Sequence, residues 1–91
     1  MDSIINNERY CLICGTTNNL HKHHIFGGAN RQNSEEDGLW IYLCAKHHNM
    51  SDDSVHFNSD MNMSIKRLGQ IQYEKRYSRD DFMKRYGKNY L

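Results

Sequence analysis

Apolar and polar positions along the chain predict two strands followed by two helices. Leu20 to Phe26 alternates imperfectly and suits a short strand. Leu39-Trp40-Ile41-Tyr42-Leu43 is an aromatic and aliphatic run after Gly38 and predicts the clearest strand. Between them, residues 27–38 read as a polar loop of about twelve residues, a length that in a small domain usually marks function. In the last third Met61, Ile65, Leu68 and Gln72, with Ile71 beside them, keep a helical spacing. Asn58, Ser59 or Asp60 stands where that helix needs a cap. Ser78 and Asp81 form a capping box with Asp in place of the usual Glu. Phe82, Met83 and Tyr86 then make a one-sided apolar stripe, with Gly87 at the C-cap position.

Two short segments fit neither period. Tyr10-Cys11-Leu12-Ile13-Cys14-Gly15 reads as a metal knuckle, a Cys-x-x-Cys turn in which Gly15 is free to take positive φ. Cys44-Ala45-Lys46-His47-His48-Asn49 reads as a second knuckle running into a helix. Residues 1–10 are a polar lead-in. There is no internal repeat, low-complexity tract or linker, and the 91 residues contain no proline. By length this is one domain, residues 1–91.

Composition explains why knuckles matter here. Apolar residues make up about 37% of the chain, below the roughly 45–50% of a typical globular domain. A domain this small often needs a staple. Three cysteines cannot all pair as disulfides, and six histidines accompany them, so a mixed Cys/His metal site is the economical staple. No apolar run approaches 18 residues, which excludes a transmembrane helix. The N-terminal residues lack the basic and apolar segments of a secretory signal. The expected compartment is therefore the cytoplasm, where reduced thiols favour metal over disulfide.

Cys11-x2-Cys14 and Cys44-x2-His47 each place two ligands three residues apart, a spacing that reaches one tetrahedral ion from a single turn. Closing both on one structural zinc would pin the ends of the hairpin between them. The alternative is three buried free thiols. The fourth ligand is His47 by spacing, with His48 or His21 as rivals.

Charge adds a partner class. Residues 1–59 carry 4 basic and 7 acidic side chains, whereas residues 60–91 carry 8 basic and 4 acidic. A basic C-terminal part suits a polyanion, and the plainer alternative is a solvated amphipathic helix. Lys66, Arg67, Lys75 and Arg76, together with Arg31 in the long loop, are candidates to track phosphates. No base-reading module is present, so weak sequence preference is expected.

His23, His24, His48 and His56 remain once the zinc ligands are assigned. Neighbours on a strand point to opposite faces, so of His23 and His24 one suits an ion and the other a reacting group. An imidazole, with its pKa near neutrality, can take a proton from water.

Here a resemblance becomes specific. Cys11-x2-Cys14, then Leu20-His21-Lys22-His23-His24-Ile25, then Tyr42-Leu43-Cys44-x2-His47-His48 resembles the zinc-stapled HNH endonucleases found among small phage-encoded nucleases. The resemblance covers residues 10–57. It implies an α+β fold: a small ββα-metal (HNH, or His-Me finger) core with a structural zinc, and residues 58–91 as a basic helical extension. It implies His24 as general base and His23, His48 and His56 as ligands of one catalytic divalent cation (Mn²⁺, Ni²⁺, Zn²⁺ or Mg²⁺). His56 has an alternative as a surface or core histidine, because eight residues separate it from His48. His21 shares a strand face with His23 and is a candidate for a supporting or phosphate contact. The family's middle Asn is expected around Gly38 to Trp40, where no Asn stands; Asn30 or Asn33 is the candidate substitute.

The implied activity is metal-dependent hydrolysis of phosphodiester bonds, with nucleic acid, DNA first, as partner and a homodimer as one way to reach both strands. The implied source is a phage or prophage acting in the bacterial cytoplasm. The alternative functions are a catalytically inactive zinc-stapled nucleic-acid-binding module and an adaptor or inhibitor on the same scaffold.

Overall fold

Strand β1 (Leu20–His24) and strand β2 (Trp40–Cys44) pair antiparallel, in register from Leu20 opposite Cys44 to His24 opposite Trp40. This hairpin and three helices make up the α+β fold in a computed structural model that describes residues 1–50 and 54–91. β1 ends two residues before the sequence pattern does. The Ile25 N–H still donates to Leu39 O at 3.1 Å, but the Phe26 N–H turns to Ser34 Oγ, and both side chains leave the sheet for the core.

The segment expected to be loop contains a 3₁₀ turn (Gly28–Asn30) and helix α1 (Arg31–Glu36). Helical periodicity could not reveal α1, because its only buried side chain is the polar Ser34. Tertiary hydrogen bonds hold it instead. Ser34 Oγ donates to Leu39 O, and Asn30 and Asn33 donate to Tyr86 O and Arg85 O, each at 3.1 Å. The second knuckle likewise continues into a π turn (Lys46–Met50), where the sequence suggested an ordinary helix.

Helix α2 (Ser59–Tyr73) starts at Asn58, whose side-chain oxygen accepts the Met61 N–H at 2.9 Å. Its buried face is Ile65, Gly69, Gln70 and Tyr73, with Met61 and Leu68 half-buried and Ile71 exposed. The stripe is centred on Gly69, where the helix packs closely against Ile25 and Phe26, just past β1. A Cβ at that position would lie 3.0 Å from Ile25 Cγ2 and 3.1 Å from Phe26 Cε2. The sequence pattern overlooked a glycine as the centre of a packing face.

Helix α3 (Arg79–Tyr86) has the expected capping box, Ser78 with Asp81, and Gly87 closes it. Phe82 and Tyr86 are buried, while Met83 faces outward. Phe26 joins them, its ring centroid 5.4 Å from Phe82 and 4.6 Å from Tyr86. The core is therefore one aliphatic and aromatic layer between the hairpin and the two long helices.

A polar clasp closes that layer. Arg85 Nε and Tyr86 OH each donate to Asp37 Oδ2 at 2.6 Å. Burial first, and the Asp37 carboxylate second, push the Tyr86 phenol far above its usual range. Tyr86→Phe is expected to lower stability by about 1–2 kcal/mol, read as a fall in the thermal midpoint. An unchanged midpoint would mean that Arg85 alone satisfies Asp37. Among the described residues no helix is long and apolar enough to cross a membrane.

Candidate metal centres

The first knuckle is a tight turn built by backbone hydrogen bonds. The Gly15 N–H donates to Cys11 O at 2.8 Å, and Gly15 sits at φ +79°, a conformation that costs a residue with Cβ. The Leu12 N–H donates to Tyr42 O at 3.0 Å and ties the turn to β2. The second knuckle begins where β2 ends, at Cys44, and the π turn presents His47 and His48 in succession.

Cys11, Cys14, Cys44 and His47 come together, all ligand atoms within 4.8 Å of one another. Cys14 Sγ lies 3.7 Å from Cys44 Sγ, and His47 Nδ1 lies 3.2 Å from Cys44 Sγ and 3.8 Å from Cys11 Sγ. A tetrahedral zinc with bonds of about 2.3 Å to sulfur sets its sulfurs about 3.8 Å apart, so the four side chains fit such an ion. Of the rival fourth ligands, His48 and His21 are engaged with each other instead.

Electrostatics supports the fit. Burial raises the Cys11 thiol, but hydrogen bonds from the backbone of Cys44, Cys14 and Ile13 outweigh it and bring the thiol down to about 6. Burial pushes the Cys44 thiol up, and the neighbouring Cys14 and Cys11 sulfurs add to that. Three thiolates this close repel one another, and a divalent cation removes that repulsion.

The second cluster lies on the other side of the π turn. His23, His48 and His56 offer nitrogens within 4.8 Å of one another. His48 Nε2 lies 3.1 Å from His56 Nε2, and His48 Nδ1 lies 3.0 Å from His21 Nδ1. His21 thus fixes the ring of His48 from behind, as an outer partner of a ligand does. His23 is buried, and its Nε2 has no hydrogen-bond partner among the described residues. An orphaned buried nitrogen beside two other imidazole nitrogens is the donor set of a metal site.

Burial, then the imidazoles of His48, His56 and His24 and the Lys66 ammonium, bring the His23 pKa down from 6.5 to about 4. Burial, with His56 and His21, also lowers that of His48. Both shifts favour the neutral ring, the form that ligates. The unfolded chain takes up a proton at His23 below pH 6.5 and the folded chain only near pH 4, so stability falls as pH drops through that window. At 1.36 kcal/mol per pKa unit the loss reaches about 3 kcal/mol. His23→Asn should flatten this slope in urea titrations without added divalent ion, and the difference between the two proteins removes what the thiolate site loses in acid. Equal slopes would deny His23 that role.

A cavity of about 440 Å³ opens over this cluster and is lined by His23, His24, His48 and His56 among others. Two residues expected to meet phosphate, Arg31 and Lys66, line it too, and Lys22 and Asn62 join them. Arg67 instead donates to Tyr90 O at 3.3 Å, Arg76 lies against the N-terminal segment, and Lys75 is exposed just past the end of α2. His24 is half-buried, and its Nε2 lies 3.2 Å from Glu35 Oε1. The side-chain amides of Asn30 and Asn33 donate to the α3 carbonyls of Tyr86 and Arg85, whereas the ring of His24 meets Glu35.

No family model, curated protein or solved structure matches the chain.

Sequence reasoning did not single out Lys22, Glu35 or Asn62. Glu35 meets His24 across eleven residues of chain, and no local pattern carries such a contact. Lys22 could have been found, because it shares a strand face with His24.

Proposed function

We propose that this chain is a metal-dependent endonuclease of the HNH type, cutting phosphodiester bonds of DNA, with a ββα-metal core stapled by zinc. The observation that carries the reading is the juxtaposition in one open pocket of a three-imidazole cluster, in which the buried His23 Nε2 has no hydrogen-bond partner among the described residues, with a fourth imidazole, His24, that is not part of it. A structural zinc site alone would need neither.

Cys11, Cys14, Cys44 and His47 would hold the zinc, and His23, His48 and His56 the catalytic ion. The bound ion would supply positive charge to the phosphate and its leaving oxygen. His24 takes a proton from water as that water attacks phosphorus, the bond to the 3′ oxygen breaks, and a 5′ phosphate and a 3′ hydroxyl result. Arg31 and Lys66 hold flanking phosphates. Three imidazoles favour Mn²⁺ or Ni²⁺ over Mg²⁺, whose preference is for oxygen.

The test is conversion of supercoiled plasmid to open circle or linear form by the zinc-loaded protein. Mn²⁺ or Ni²⁺ should support it better than Mg²⁺, and EDTA should stop it. His48→Ala should remove the ion dependence together with the activity. Failure on plasmid, branched DNA and RNA with every ion would sink the nuclease and leave the zinc-stapled binding module. Lys66→Ala should weaken DNA binding and lower the salt dependence by about one phosphate contact, whereas Arg76→Ala should change neither. Equal effects would move the DNA off the pocket.

A further inference from the structure

Strand alternation divides β1 into two working faces. His21 and His23 point towards His48, whereas Lys22 and His24 share the face that meets α1. One residue of α1 receives both. Glu35 accepts from Lys22 Nζ at 2.6 and 2.9 Å, and its Oε1 lies 3.2 Å from His24 Nε2. We propose that Glu35 is the positioning residue of His24: it holds the Nε2–H of the neutral ring and leaves Nδ1 as the basic nitrogen at the pocket. The role rests on the reading of His24 as the base.

The chemistry of a neutral imidazole gives the proposal its content. The ring has one N–H, and whichever nitrogen carries it cannot accept a proton from water. A carboxylate at Nε2 selects one tautomer and one ring orientation at once. A base that samples both tautomers and several rotamers spends only part of its time competent.

The surroundings are built for such a task. Glu35 does not sit on a mobile tip. Its helix is fixed on one side by Ser34 to Leu39 O and on the other by Asn30, Asn33 and Asp37 to α3. Lys22 is fixed in turn, its ammonium 4.2 Å from the centre of the Trp40 ring, and Trp40 lies directly opposite His24 in the hairpin. Lys22 also solves an electrostatic problem. A bare carboxylate beside a phosphate site would repel the substrate, and the paired Lys22 cancels that charge, while Oε1, which accepts from Lys22, has a second lone pair for His24. The position where the resemblance expects an Asn, around Gly38 to Trp40, holds Leu39, which is fully buried in the core. Glu35 reaches the ring from a different element.

The experiment combines two readouts on the full zinc-loaded chain. In ¹⁵N spectra of the histidine rings at alkaline pH, wild-type His24 should carry its proton on Nε2. Glu35→Ala should give a mixture of tautomers, and Glu35→Gln, whose amide oxygen still accepts, should restore the wild-type pattern. In plasmid cleavage Glu35→Ala should lower kcat roughly 10-fold, part of what a positioned base supplies, with KM unchanged, and Glu35→Gln should recover most of it. A His24 protonated on Nδ1 in the wild type, or a tautomer indifferent to Glu35→Ala, overturns the proposal. So does a Glu35→Ala effect confined to KM, which would make Glu35 a substrate contact. A wild type that shows the Glu35-dependent tautomer and cuts nothing would uphold the positioning and fell the nuclease reading alone.

Discussion

Stripping a zinc ion from Cys11, Cys14, Cys44 and His47 is expected to unfold the chain at neutral pH. A Cys/His zinc site contributes on the order of 10 kcal/mol to folding in small domains, and the whole stability of a domain is only about 5–15 kcal/mol. Here the site joins Cys11, in a turn outside the sheet, to Cys44 at the end of β2 and His47 just beyond it. Without the ion, three crowded sulfurs and a buried imidazole remain where an apolar core would have to be. Treatment with a strong chelator, or Cys11→Ser, should therefore abolish the cooperative thermal transition seen by circular dichroism, and added Zn²⁺ should restore it only for the chelated wild type. A zinc-free chain melting within a few degrees of the loaded one would show that the hydrophobic layer suffices and that the four ligands are no staple.

His24→Ala should lower plasmid cleavage by about 10²–10⁴-fold, the contribution of a positioned general base, with zinc content and melting temperature unchanged. The separation is possible because His24 belongs to neither cluster: its ring meets Glu35, and the ion ligands sit on the opposite face of β1 or beyond β2. Loss of activity together with loss of zinc would point to a folding defect. Retained activity would move the base elsewhere in the pocket.

Legibility in the sequence followed the range of the interaction. The knuckles at Cys11, Cys14, Cys44 and His47 were readable because metal ligands three apart leave a local signature, and the structure brings those four side chains together. The capping box at Ser78 and Asp81 was readable for the same reason. His56 had no such spacing. Its place beside His48 follows from the resemblance, and the geometry puts their nitrogens 3.1 Å apart. Helix α1 escaped because a short helix held by polar contacts to a distant helix shows no apolar period. Ile71 and Met83 were placed inward by periodicity and lie outside, since close approach at Gly69 and the aromatic ring contacts of Phe82 and Tyr86 set the rotation of the two helices.

The adjacency of His47 and His48 has a consequence for the order of assembly. One peptide bond links a side chain of the thiolate cluster to a side chain of the imidazole cluster, so the π turn that aims both must exist before either aim is correct. The thiolates bind soft or borderline ions far more strongly than imidazoles bind hard ones. On the proposed reading metallation would be sequential: zinc would enter first and shape the turn, and only afterwards would a second ion find its three nitrogens. If the protein is the proposed nuclease, a cell short of zinc would thus silence it at a step before any nucleic acid is met, however much manganese or nickel it held.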